Sequence, residues 1–488
     1  MTIGFNEIPN GTKVPFFFVE FDTSKAQQGP SIQIYKALLI GQRLAAGTKP
    51  EKQIDLVTSE AQAQKFYGNG SMLASMVASF LKDNKVTQLN CISLDDDGAG
   101  NEAEGTITFV GTATEAGTVS VKVAGKRYRV GVAIGDDQTD VASAVAAEIQ
   151  ADNNKQVTSA NVLGVLTNTA VHKGEAGNGI DQRVNPEVGE ELPAGITAVV
   201  VAFSAGTANP DIADVIAAMG DIQFHIIGNP YNDSSNLTLL ETELADRFGP
   251  TRQIEGVAMG GKRDTFSNLI TFGDGRNSPH ISTEAVDGPS NPWDFAANRT
   301  GVIALFGQID PARPFQTLPM TAVSAADDDE QFSFTERNLL LNDGISTHSV
   351  DAGGIVRIER AITMSQENAL GAPDTSLLDV NTLLTLSFLR FDFRTQFQLT
   401  YPRHKLGDDG NRFPPGQPII TPKIAKAKAI SIFKGWLEDL GLVENIDQFK
   451  RDLIVERDAS DPNRLNFLLS PDLINQFRTG ASQIAFLL

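Results

Sequence analysis

The segment Val14-Pro15-Phe16-Phe17-Phe18-Val19-Glu20-Phe21 lies between Asn10-Gly11 and Gln27-Gln28-Gly29-Pro30. A strand this apolar, held between flexible stretches, has nothing local to pack against, and its unpaired edge needs a partner. The other end poses the same problem: the chain finishes Gln483-Ile484-Ala485-Phe486-Leu487-Leu488, apolar to its last residue. Two readings remain open. Both ends pack into their own domain, or they add as strands to neighbouring copies, which is the regular use of such edges. On the second reading the linking residues are Phe16, Phe17, Phe18, Val19 and Phe21 in an arm at 1–30, and Ile484, Phe486 and Leu487 in a closing strand at 483–488.

Between the ends, 488 residues are too many for one ordinary core and suggest two to four domains. Ile34–Ile40 reads as a buried strand ending at Gly41, Ser71–Asn84 as a helix with Met72, Leu73, Met76, Val77 and Phe80 on one face, and Leu89–Leu94 as a strand. From Asp95 the composition turns to Gly, Thr, Ala and Val. Three strands (Gly105–Val110, Gly117–Val123, Arg127–Val132) and a helix carrying Val141, Val145 and Ile149 read as a β-rich insertion at 96–195. The α/β pattern resumes near Gly195, with Asn209-Pro210 as an N-cap and first helical position, a strand at Ile222–Ile227, a helix through Leu237, Leu240, Leu244 and Phe248, and a strand at Ile254–Met259. Strands joined by a helix imply parallel pairing.

Residues 372–482 form a separate α+β part. Leu377–Leu399 is a long helix, Thr421-Pro422 opens a second with Ile424, Ile432, Phe433, Trp436 and Leu440 as its apolar side, and Leu453–Glu456 with Leu465–Leu469 makes a hairpin. The predicted fold class is thus α/β and α+β multidomain: an α/β middle domain at 31–95 and 196–371, its β-rich insertion, and an α+β C-terminal domain.

A net charge of −20 argues against direct nucleic-acid binding, which needs excess Lys and Arg. Cys91 is the only cysteine, so no internal disulfide or cysteine metal cluster is possible and a reducing compartment fits. The start, MTIGFNEIPN, shows no secretion signal, and the longest apolar run, Ile196–Phe203, is far short of the ~20 residues a membrane span needs. Assembly in the cytoplasm, with no membrane insertion, is the expectation.

Candidate chemistry is sparse. There is no Gly-x-Ser-x-Gly elbow. His225 falls in an apolar strand and reads as an interior imidazole, whereas His172, His280, His348 and His404 fall in loop-like sequence where solvation is the default. Gly68-Asn69-Gly70 lacks the third glycine of a dinucleotide fingerprint and reads as a turn. Asp95-Asp96-Asp97-Gly98 resembles a calcium loop, but Ser93 stands at position 1, so it reads as a solvated acidic linker. Asp327-Asp328-Asp329-Glu330 reads as a charge run. An open α/β sheet places a cleft near Gly228–Asp233, where no acid, base and nucleophile converge. No catalytic residue, metal or cofactor is expected. Lys423, Lys426, Lys428 and Lys434 share one helix with no acidic residue among them; they form either a solvated face or one that docks on an acidic surface.

Several stretches resemble Mu-like contractile phage tail sheath proteins: Ile8-Pro9, Val14-Pro15 through Asp22, Gly70-Ser71-Met72-Leu73-Ala74, Gly111-Thr112-Ala113-Thr114-Glu115, Ala124-Gly125-Lys126-Arg127, Leu192-Pro193-Ala194-Gly195, Asn209-Pro210-Asp211-Ile212, Ala218-Met219-Gly220-Asp221 and Asp294-Phe295-Ala296-Ala297-Asn298-Arg299. They run in order from the arm to the middle domain. The resemblance implies a structural virion protein and not an enzyme. Its subunits would stack as hexameric rings around the tail tube, exchange terminal strands, and contract by rigid-body rearrangement for genome ejection. Implied partners are further copies of itself, the tail tube protein, and baseplate and tail terminator proteins, with the four lysines facing the tube. A surface adhesion protein, or a hydrolase with a site near Tyr231 and Asp233, are the alternatives.

Overall fold

The computed structural model describes residues 33–487 and divides them into two compact units, one of residues 34–387 with 476–487, the other of 388–475 with Gln33. The larger unit begins with β1 (Lys36–Gln42), β2 (Ile54–Leu56), α1 (Glu60–Tyr67), α2 (Met72–Asp83) and β3 (Gln88–Leu94). Ser71 caps α2 by accepting the Ala74 N–H at 3.2 Å. Gly70 before it holds φ +77°, and a Cβ there would run into the Lys155 carbonyl, so the Gly68–Gly70 turn demands glycine at this position.

The chain then leaves the sheet for β4 (Glu102–Gly111), β5 (Gly117–Val123), β6 (Lys126–Val132), α3 (Gln138–Ala151), β7 (Val157–Val162), β8 (Val165–Lys173), β9 (Gln182–Val184) and β10 (Ile196–Ser204). These make two sheets, in order β10-β4-β8-β7 and β6-β5-β9. Asp137 and Asp140 form a capping box on α3, whose Val141, Val145 and Ile149 are buried against both sheets. Here the structure corrects the sequence reading twice. The run Ile196–Phe203 does not resume the α/β pattern; it pairs antiparallel with β4 as an edge strand. The hairpin β7–β8 was not anticipated, because its Thr, Asn and Ser residues dilute the apolar alternation.

Next come α4 (Ala213–Met219), β11 (Ile226–Gly228), α5 (Ser234–Phe248), β12 (Val257–Lys262), α6 (Phe266–Asp274), β13 (Ile281–Ala285), α7 (Pro292–Ile309), α8 (Phe334–Asn342), β14 (Ile345–Val350) and β15 (Val356–Arg360). Asn209 does not cap α4: its carboxamide accepts from Ala176 N–H at 3.0 Å and donates to Asp233 at 2.8 Å, tying the insertion's exit to the start of α5. The main sheet runs β15-β14-β13-β12-β11-β1-β3-β2, parallel from β14 to β3 with one antiparallel strand at each edge. Alternate residues of its strands feed two cores. Leu39, Cys91, Ile226 and Met259 lie with residues of α2 and α7, whereas Leu38, Ile40, Ile92 and Ala258 lie with residues of α4, α5 and α6. Burial on both faces explains why these strands read as continuous apolar runs.

α9 (Val380–Thr400) starts in the larger unit and ends in the smaller. The smaller unit continues with β16 (Lys405–Leu406), β17 (Ile419–Ile420), α10 (Pro422–Lys434), a π-turn at Gly435–Asp439, β18 (Val443–Glu444), α11 (Ile446–Asp452), β19 (Ile454–Arg457), β20 (Leu465–Leu468) and β21 (Asp472–Leu473). Its core is aromatic: Phe433 stacks on Phe449 at 4.1 Å, Phe393 and Phe397 meet Phe467 edge-on, and the Trp436 indole donates to Asp392 at 2.7 Å. Ile424 and Leu440 stand on the exposed side of this helical segment instead of the apolar one, where Ala425, Ala429, Ile432, Phe433 and Trp436 are buried.

Candidate assembly surfaces

Several buried polar residues of the larger unit hold its elements together. His348 sits between Glu284 and Asp287, donating Nδ1–H to one at 3.0 Å and Nε2–H to the other at 2.8 Å. Burial alone would push this imidazole down, but those two hydrogen bonds and charges outweigh it and hold it at about 10. Arg299, fully buried, pairs with Glu284 and donates to Ser282 Oγ at 2.6 Å and Ser346 Oγ at 2.7 Å, binding α7 to β13 and β14. On the same helix Asp294 accepts from Ser75 and Asn291, and Asn298 donates to Asp83, which locks α7 to α2. The polar residues of the stretch Asp294–Arg299 are therefore framework.

Three of the other histidines are buried as well, and His404 is half-buried. His225 accepts the Lys36 N–H at 3.1 Å and stacks on Tyr35, and burial pushes it down to about 4. His172 in β8 and His280 against Phe248 are buried too, as is His348 in β14, contrary to the solvated loops expected. His172 receives the Met72 N–H on Nε2, so Nδ1 carries the proton shared with Asp96 at 2.9 Å. Asp96 also accepts from Gln42 and from the Lys173 N–H, so the acidic stretch is a clamp between β1 and β8 and not a solvated linker. Likewise Asp327 and Glu330 are partners of Arg183 on β9.

A cavity of about 300 Å³ opens beyond the ends of β11 and β12, lined by Asn232, Asp233, Lys262, Arg263, Asp264 and Trp293. Of the two residues expected near such a site, only Asp233 lines it. Tyr231 is fully buried, and Asp233 caps α5 through the Asn236 N–H at 3.0 Å. Arg263 spends its guanidinium on the Gly179, Gly288 and Ser290 carbonyls.

The closing tail and the lysine helix are the described segments that the sequence offers to partners. From Ile474 to Leu487 the described residues take no regular structure; Gln476 and Arg478 tether them to Ala312 and Asp379, and from Thr479 to Leu487 every residue is exposed. Ile484 is 87%, Phe486 78% and Leu487 101% exposed. Phe16, Phe17, Phe18, Val19 and Phe21 lie outside the described residues. On α10, Lys423 and Lys434 are exposed, whereas Lys426 donates to the Leu453 carbonyl at 2.6 Å and Lys428 to Gln396 at 3.1 Å. Burial pushes the Lys428 ammonium down. The four lysines thus do not form one free face.

Comparison with known proteins agrees with a structural reading. Residues 205–364 match the phage tail sheath protein central domain, and residues 372–486 the phage tail sheath C-terminal domain. The chain belongs to the phage tail sheath family: it is a structural subunit of a contractile tail sheath and not an enzyme. Within that family it is of the Mu-like kind. The Mu-like prophage FluMu tail sheath protein of Haemophilus influenzae is 40% identical over 489 residues, spanning 100% of both chains. Among solved structures, the sheath tail proteins of Desulfitobacterium hafniense (10% identity, 94% of this chain and 100% of that one, TM-score 0.48) and Listeria innocua (12%, 92% and 94%, 0.49) are similar. So is the anti-feeding prophage helical sheath in its contracted state (10%, 98% and 99%, 0.47).

Proposed function

We propose that copies of this chain stack as six-fold rings around the tail tube, and that terminal segments crossing between copies tie the rings together. The sheath would contract by rigid-body movement of subunits about those crossing segments, driving the tube through the host envelope. The observation that carries this reading is the exposed apolar tail. Ile484, Phe486 and Leu487 cost free energy in water, at about 25 cal/mol per Å² of apolar surface, unless something covers them. Receiving edges are available in the smaller unit, where β16–β17, β18–β21 and β19–β20 are each only two strands wide among the described residues. An isolated pair of that kind gains from a third strand. Each added strand would contribute hydrogen bonds worth about 1 kcal/mol net apiece, repeated at every subunit.

The N-terminal arm with Phe16–Phe21 would make the second crossing. Lys423 and Lys434 support contact with an acidic tube surface; Lys426 and Lys428 contribute less, since their ammonium groups already have partners. Baseplate and terminator proteins would bound the stack at its ends, and assembly would take place in the host cytoplasm. Removing residues 1–22 or 483–488 tests this reading. Each truncated chain is expected to stay folded yet form no ordered tubes by negative-stain microscopy, and normal tubes from both would overturn it.

A further inference from the structure

The sheet β10-β4-β8-β7 has one face in the core and one face open. Inward go Ile107, Phe109, Leu166, Val157 and Ile196, all buried. The register sets the outward side chains in cross-strand rows: Val162, Val165, Thr108 and Val199 in one, and Ala160, Thr167, Thr106 and Val201 in the next. A third row is Thr158, Thr169, Glu104 and Ser204. Every residue of the three rows is exposed or half-exposed; Val162 is 67%, Val199 60% and Val201 54% accessible. Glu104 is the single charge among the twelve, and it accepts from Thr169 at 3.3 Å.

An antiparallel sheet with a solvated face normally carries charged and polar residues there. Of these twelve, five are Val or Ala, five Thr, one Ser and one Glu, so what the face lacks is charge, in a protein of net charge −20. Its two edges, β7 and β10, contain no charged residue and no proline, the usual guards against edge pairing. For two copies that repel each other elsewhere, a surface with one charge among twelve residues is where approach costs least, and interface centres are depleted of charge.

We infer that in the assembled sheath this open Val/Thr face of the insertion is covered by a second copy of the same chain. The inference rests on the self-assembly proposed above and adds a contact to it. With strands about 4.8 Å apart and about 3.4 Å per residue, the three rows cover roughly 400 Å². A stable pair buries about 800 Å² per partner, so the face does not hold a dimer in solution. It adds to subunits already tied by their ends, and it leaves the free chain soluble.

Because Cys91 is buried, a cysteine placed on the face is the one accessible thiol in the protein. Thr167→Cys and Val199→Cys variants are to be labelled with a polyethylene-glycol maleimide, first as single subunits and then as sheaths assembled from the purified chain alone. Only another copy can shield the thiol there. Labelling at least tenfold slower in the sheath is the expected result. A folded variant that no longer assembles also supports the contact. Sheaths labelled as fast as single subunits overturn the inference, and leave the face to a host surface or another tail protein. If the unsubstituted chain forms no sheath, the proposed function fails and this contact fails with it.

Discussion

His348 is held as a cation by Glu284 and Asp287, with Arg299 completing a buried group of two positive and two negative side chains. Removing one member leaves buried charge uncompensated, which costs about 3–5 kcal/mol. His348→Ala should lower the unfolding free energy of the subunit, read from urea titration, by that order without removing any surface group. The pH dependence has a definite sign. The imidazole titrates near 6.5 when unfolded and about 10 when folded, so its stabilisation is complete below about 6.5 and is lost as pH rises through about 10. Urea unfolding between pH 7 and 10.5 should show an alkaline loss in the native chain that the His348→Ala variant lacks; parallel curves would refute the charged assignment. None of this was legible beforehand. His348 and Arg299 stand 49 positions apart; Glu284 is the partner they share, and the β13–β14 pairing brings Ser282 and Ser346 together under Arg299. Arg299 did fall in a stretch noted for family resemblance, but its role came from the fold.

Among elements, those with strong local signals were read well. The helices α2, α5 and α10 carry an apolar face and a cap in sequence, and Thr421-Pro422 starts α10 as expected. Strands buried on both faces, such as β1 and β3, stood out as apolar runs. The misreadings share a cause: β10 is as apolar as a core strand yet lies at an edge, and a run of valines does not say whether anything covers it. The acidic stretches were misjudged similarly, since Asp96, Asp327 and Glu330 find partners on strands distant in sequence. Gly70 gives a test at this scale. Gly70→Ala must adopt a left-handed φ and displace the Lys155 carbonyl, so it should cost at least about 1 kcal/mol in thermal or urea unfolding. An unchanged midpoint would mean that the turn relaxes freely. On α10, Lys423→Glu with Lys434→Glu should weaken assembly on purified tube more than assembly of empty sheath, because those two heads are exposed. Equal losses in both assays would argue against a tube-facing role.

For the molecule as a whole, the sequence motifs and the matches to sheath domains agree on a structural component of a phage tail. Its net charge of −20 keeps free subunits apart, so whatever joins them must act at short range. Exposed apolar tails and uncharged edge strands are short-range devices, which suits them to joining subunits. In the proposed sheath the tail of one copy is covered by another. That contact is tested most directly by replacing Phe486 with benzoylphenylalanine, assembling sheaths from equal parts of isotopically light and heavy subunits, and irradiating them. Mass spectrometry should find about half of the tail cross-links joining light to heavy chains. Cross-links confined to chains of one isotope would show each tail folded back on its own subunit and would contradict the account.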